Sequence, residues 1–139
     1  MTLIFMKKIL FLCLIFISLK TNAIDSNKLI NLNDLNILFD FKKDDWNENV
    51  LFLIKKNSFS IVENDSDTFY LKSIFNDGQI ITMPKFSNNI VEKIKFEYIF
   101  DYKKENLKII NDHFNSFNNF CFEYLQNNKT IQVDVTKCN

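Results

Sequence analysis

Arginine is absent from this 139-residue chain, and glycine, proline, histidine and tryptophan occur once each. Without Arg there is no planar donor fork to read guanine edges, and the 17 lysines form no basic stripe that would neutralise phosphates, so nucleic acid is disfavoured as a partner. A basic surface for anionic lipid is missing for the same reason. The single glycine, Gly78, leaves no glycine-rich phosphate loop. Any Ser-His-Asp or Cys-His arrangement would have to depend on His113, the lone histidine, which we read as a packed or solvent-facing structural residue. Asp40, Asp44, Asp45 and Glu48 are the densest acids, followed by Asn64-Asp65-Ser66-Asp67. Neither group reproduces the spacing of an EF-hand, and both read as solvated turns. The expectation is therefore no catalytic residue, no metal and no cofactor. Asn64-Asp65-Ser66 and Asn128-Lys129-Thr130 match glycosylation sequons, as short stretches of an Asn-rich chain do by accident.

What the chain has in quantity is apolar and aromatic material: 47% of residues are hydrophobic, and 16 are Phe. One core of ordinary size fits this length. Residues 1–23 read as a secretory signal peptide, with Lys7 and Lys8 before the apolar run Ile9 to Ile17 and the small residues Thr21-Asn22-Ala23 before cleavage. The run falls short of the roughly 20 residues a bilayer span requires; an uncleaved anchor is the alternative. Residues 24–139 are then one exported domain, periplasmic or secreted. Losing Lys7, Lys8 and Lys20 leaves it with 14 Lys against 17 acids, a net of −3. Two cysteines remain, Cys121 and Cys138, and an oxidising compartment favours their pairing, with two free thiols as the alternative.

The clearest periodicity lies toward the C-terminal end. Leu107, Ile110, Phe114 and Phe117 share one stripe of a helix over about 103–118, with Asp101 as N-cap and Lys108, Asp112 and Asn115 on the wet side. Period two follows: Phe120, Phe122 and Tyr124, then Ile131, Val133 and Val135, joined by a turn at Asn127-Asn128. That turn sets Tyr124 opposite Ile131 and Phe122 opposite Val133. Cys121 then faces the region of Asp134, and Cys138 has to fold back over the sheet to reach it.

Upstream, Trp46, Val50, Leu53 and Ile54 lie at helical spacing over about 45–56, with Asp44 or Asp45 at the start and Lys55-Lys56 in the last turn. A shorter helix begins at about Asp34, since Asn31 and Asn33 prefer caps and turns. Strands are expected at Ser58 to Glu63, Thr68 to Phe75 and Gln79 to Phe86, the last two joined through Asn76-Asp77-Gly78. Pro84 places its strand at an edge or at its end. After a turn at Asn88-Asn89, Ile94, Phe96, Tyr98 and Phe100 alternate with Lys93, Lys95, Glu97 and Asp101 on another strand. Trp46 reads as core or edge packing rather than a ligand platform.

The run Asp112-His113-Phe114-Asn115, followed by Asn119-Phe120-Cys121-Phe122-Glu123-Tyr124, resembles the "Asn-x-Trp-Asn, three residues, Arg-Phe/Tyr, three residues, Tyr" signature of the YbjN-like domains. Asp112 stands for Asn, Phe114 for Trp and Asn119 for Arg. The likeness spans about residues 46–135, and it implies a fold like that of type III secretion chaperones and a regulatory or chaperone-like role. The overall expectation is an α+β domain, a mostly antiparallel twisted sheet packed by one main helix and flanked by an N-terminal one. Its expected role is that of an exported, non-enzymatic binding or adaptor protein with a protein or peptide partner, able to form a homodimer. An edge strand would accept an extended segment, and Trp46, Tyr70, Tyr98 and Tyr102 would supply an exposed aromatic patch. A periplasmic immunity or inhibitor protein that neutralises a toxin or hydrolase is the alternative.

Overall fold

The computed structural model describes Ser26 and residues 29–57, 59–75, 78–99, 104–127 and 129–138. The segment read as an export signal, the cap Asp101 and the aromatic Tyr102 lie outside these residues. Helix α1 covers Leu32–Asp40, and a 3-10 turn at Lys43–Asp45 leads into α2, Trp46–Lys56. Strands β1 (Ser60–Asp65), β2 (Tyr70–Phe75), β3 (Gly78–Ser87) and β4 (Ile90–Ile99) follow, then α3 (Lys104–Asn115), β5 (Phe120–Gln126) and β6 (Thr130–Lys137). The strands form one sheet in the order β1-β2-β3-β4-β6-β5, and every neighbouring pair is antiparallel. The fold is thus the expected α+β, with β6 slotted between β4 and the outer β5.

Period-two alternation explains how the sheet acquires a buried side. In β4, Ile94, Phe96 and Tyr98 are 0%, 2% and 0% exposed, while Lys93, Lys95 and Glu97 between them remain half-exposed on the other face. Register carries the pattern across: Ile94 lies opposite Val135, Phe96 opposite Val133 and Tyr98 opposite Ile131, and all three β6 residues are buried. The helices cover this side. Helix α3 lays Ile110 and Phe114 into the core with Leu107 half-buried behind them, and because the helix ends at Asn115, short of the expected 118, Phe117 reaches the same core from the turn that follows. Phe114 sits at the centre, its ring 6.3 Å from Phe96, 6.5 Å from Tyr98, 6.0 Å from Phe117 and 5.1 Å from Phe122.

The N-terminal helices close the other half of that side. Helix α1 starts earlier than expected because Asn31 caps it: its Oδ1 accepts the Asp34 backbone N–H at 2.8 Å, and its Nδ2 donates to Asp34 Oδ2 at 3.2 Å. The Asn that reads as an interruption is the start signal. Asn31→Ala is expected to lower stability by about 1 kcal/mol, the usual worth of an N-cap, measurable as a shifted urea midpoint with unchanged slope. At α2, Asp45 occupies the N-cap position without a side-chain bond, and Asn57 closes the C-terminal end by donating to the Leu53 carbonyl at 2.9 Å. Trp46 is 1% exposed and meets Phe41 and Phe86 edge-on, so it is core, as its position beside an apolar stripe implies.

Two expectations need correction. The β5–β6 turn falls one residue later than the Asn-Asn pair suggests, since Asn127 pairs with Thr130, and this sets Tyr124 opposite Val133 and Phe122 opposite Val135. A register offset of two leaves every side chain on its face. Pro84 is not on an edge strand: β3 is interior, and Pro84 lies opposite Ile94 in the part of β3 that runs on past the end of its pairing with β2 at Thr82. On that flank no ladder donor is needed, which is why proline is tolerated. The turn expected at Asn88-Asn89 is present, with Asn88 at φ 57°, and β4 begins directly after it at Ile90.

Candidate functional site

Side chains on the other face of the sheet stand outside the hydrophobic core that the helices cover. Register places Lys72, Ile81, Glu97, Gln132 and Leu125 in one row across five strands, so charge and apolar surface are interleaved. Lys93 Nζ lies 3.7 Å from Asp134 Oδ2, and Gln132 Nε2 donates to Asp134 Oδ1 at 2.9 Å. Ile74 and Leu125 stand out of this face at 46% and 56% exposure. Tyr70 also stands here, and desolvation, then the nearby Glu63 and Glu97 carboxylates, hold its phenol above the ordinary value.

The two edges of the sheet differ. Strand β1 is irregular between Ile61 and Glu63 and ends in the acidic run Glu63-Asn64-Asp65, two devices that blunt an edge against pairing. Strand β5 pairs with β6 in unbroken register over seven residues. Because the Asn127 N–H bonds to Thr130 and the Asn119 carbonyl accepts from Cys138 at 3.1 Å, the odd-numbered residues of β5 face β6. The backbone groups of Phe120, Phe122, Tyr124 and Gln126 therefore point outward, and no described strand pairs with them.

Cys121 and Cys138 are joined at this edge, with Cα atoms 5.3 Å apart and a sequence separation of 17. The offset register removes the geometric difficulty expected for the pair. Cys121 lies opposite Thr136, which makes Cys138 a diagonal neighbour on the same face, and no folding back is needed. His113 stands on the helix side, away from Cys121. Its ring packs edge-on against Phe114 and Phe117, and its Nε2–H donates to the Ile30 carbonyl at 2.6 Å. The bond ties the end of α3 to the segment before α1.

The aromatic patch does not form as expected. Trp46 and Tyr98 are interior at 1% and 0% exposure, and burial, then the field of Tyr124, push the Tyr98 phenol far up. Phe52 on α2, 71% exposed, is the most exposed large apolar side chain among the described residues. Of the acids, Asp44, Asp45 and Glu48 are exposed, and Asp65 Oδ1 accepts the Asp67 N–H at 3.0 Å as in an ordinary turn. Among the described residues no three His, Cys, Asp or Glu side chains could hold a metal ion.

One concave feature was not legible in the sequence. A cavity of about 210 Å³ lies between α1, α2 and the sheet, walled by Leu38, Leu53, Phe59, Ile80 and Phe96, with Asn31, Asp34, Asn57 and Thr82 as its polar residues. Asp34 is 5% exposed and Thr82 3%. Helix positions, strand positions and a cap contribute to it from sites far apart in the chain, so no local pattern announces it.

No family model, curated protein or solved structure matches this chain. The run that resembles the YbjN-like signature spans the last turn of α3 and most of β5, the region that carries both the core Phe114 and the open edge.

Proposed function

We propose that this is an exported, non-enzymatic binding protein of the adaptor type, similar to YbjN-like domains and to type III chaperone-like folds, which takes an extended segment of a partner protein along β5. The observation that carries this reading is the regular outer edge of β5, where the backbone groups of four residues are turned outward with no described strand against them. Backbone bonds would supply affinity, and the side chains that flank the edge would supply selectivity. The strand, helix and hairpin of β4, α3, β5 and β6 support the likeness to those domains, and the Cys121–Cys138 pair suits an oxidising compartment.

Gln126→Pro tests the edge directly. The Gln126 N–H points away from β6, so proline there costs no ladder bond and the fold is retained. With the protein as bait in an envelope extract, the partner retained by the unaltered chain is expected to fall by about tenfold or more for Gln126→Pro, since a blocked donor denies strand addition. Glu97→Lys, on the bare face, should leave capture unchanged.

The interleaved charges of the bare face favour one second reading, an inhibitor or immunity protein that docks a folded toxin or hydrolase there. It reverses the pattern: Glu97→Lys would abolish a tight complex with one dedicated partner, and Gln126→Pro would leave it intact.

A further inference from the structure

The cavity between α1, α2 and the sheet has the chemistry of a cation site with an apolar body pocket. Asp34 stands on the first turn of α1 with its carboxylate toward the cavity. Its Oδ2 is fully engaged, accepting from Asn31 Nδ2 at 3.2 Å and Asn57 Nδ2 at 3.1 Å. Both of these bonds fall on Oδ2, so neither amide is spent on Oδ1. None of the ion pairs among the described residues involves Asp34. Asp34 as a residue is 5% exposed and the side chains that bond its carboxylate are neutral amides, so a cation entering the cavity would supply a counter-charge.

Two further groups bear on what that would be. Asn57 spends its amide hydrogens on Asp34 Oδ2 and on the Leu53 carbonyl, which leaves its Oδ1 as an acceptor. Thr82, turned into the same space from β3, is 3% exposed and adds a hydroxyl-bearing side chain to the cavity wall. The polar end of the cavity thus offers a carboxylate oxygen, an amide oxygen and a hydroxyl. An ammonium group, with three donors and no acceptor, is their complement, whereas a carboxylate or phosphate would meet like charge and lone pairs. The rest of the wall is apolar, with Leu38, Leu53, Ile80 and Phe96 across from the acid.

We propose that this cavity binds a small organic ammonium: a primary amine on a compact apolar body. Benzene fills an engineered cavity of about 150 Å³, so on the same scale the space here takes a body of roughly eight non-hydrogen atoms. The site goes beyond the partner-binding reading: it lies on the helix side of the sheet, away from the β5 edge, and its failure would leave that reading standing.

Titration calorimetry of the whole protein with 2-phenylethylammonium, 2-phenylethanol and phenylacetate tests it. The three probes share a body and differ at the head. The amine is expected to bind with a Kd below about 1 mM, as far as a ligand of this size reaches, with the alcohol and the acid weaker by roughly tenfold or more, because only the amine pairs with the carboxylate. Asp34→Asn retains an acceptor for the helix cap and removes the charge, and it should weaken amine binding by roughly tenfold. Should that variant fail to fold, Thr82→Val, which keeps shape and deletes the hydroxyl, should weaken it by about threefold. No amine binding up to about 10 mM, alcohol binding as tightly as amine, or affinity unchanged in a folded Asp34→Asn or Thr82→Val variant would each overturn the assignment.

Discussion

Phe114→Ala is expected to remove about 4 kcal/mol of unfolding free energy, the typical cost of truncating a buried Phe. The ring is 0% exposed and lies against Phe96, Tyr98, Phe117 and Phe122 at once. These neighbours come from two strands, β4 and β5, and from the turn after α3, so no single shift can fill the space left behind. Against a total of about 5–15 kcal/mol for a protein of this kind, such a loss is close to decisive. In a thermal melt it corresponds to a fall of about 15 °C. Phe52→Ala is the matched control, since Phe52 is 71% exposed, and it should change stability by less than about 0.5 kcal/mol. A Phe114→Ala variant that loses less than about 1 kcal/mol would mean that α3 does not lie on the sheet as described.

Reduction of the Cys121–Cys138 bond should cost about 3 kcal/mol, the chain-entropy value for a closed loop of this length, the two cysteines being 17 residues apart. The effect acts on the unfolded chain. In the folded state the β5–β6 ladder and the bond from Cys138 N–H to the Asn119 carbonyl hold the strand ends together without the sulfur bridge. The far-UV spectrum of the reduced protein should therefore be unchanged, while its urea midpoint falls and its slope rises, because a chain freed of its cross-link exposes more surface on unfolding. A double Cys121→Ser, Cys138→Ser variant should behave like the reduced protein and be indifferent to reductant. Mass spectrometry without reductant is the direct check, and a mass equal to the fully reduced chain would refute the bridge.

How much of this was legible in the sequence differs element by element. The α3 stripe was plain because Leu107, Ile110 and Phe114 repeat at helical spacing, though the same spacing carried the expected helix on to Phe117, past its end at Asn115, and the alternation in β4 and β6 was equally plain. The β5–β6 register was not. Period two is blind to an offset of two residues, and Asn127, Asn128 and Lys129 give no local rule that selects one turn over the next. Helix α1 began earlier than expected because Asn31 is unfavourable inside a helix and favourable at its cap, and composition alone does not say which side of the boundary it occupies.

The aromatic surface was misjudged for a related reason. An inventory of Trp and Tyr says nothing about which face each ring will stand on, and Trp46 and Tyr98 went inward. Pro84 was read correctly in its local demand, an N–H that no neighbour needs, but that demand was met by a partner strand ending early rather than by a position at the rim. The cavity was hidden most completely. Asp34 belongs to a helix cap and Thr82 to an interior strand, and only the packing of α1 and α2 over β3 brings the two residues to one space.

The position of β6 carries a consequence for how the molecule is assembled. Its ladder with β4 joins Ile94 to Val135 and Tyr98 to Ile131, so β5 is fastened to the remainder of the sheet only after the later strand has slid in beside β4. Pairings that bridge so long an intervening stretch close slowly. Until they do, Phe114 and its neighbours have only half a floor beneath them, and the nascent molecule stays loose for as long as Thr130–Lys137 is held back.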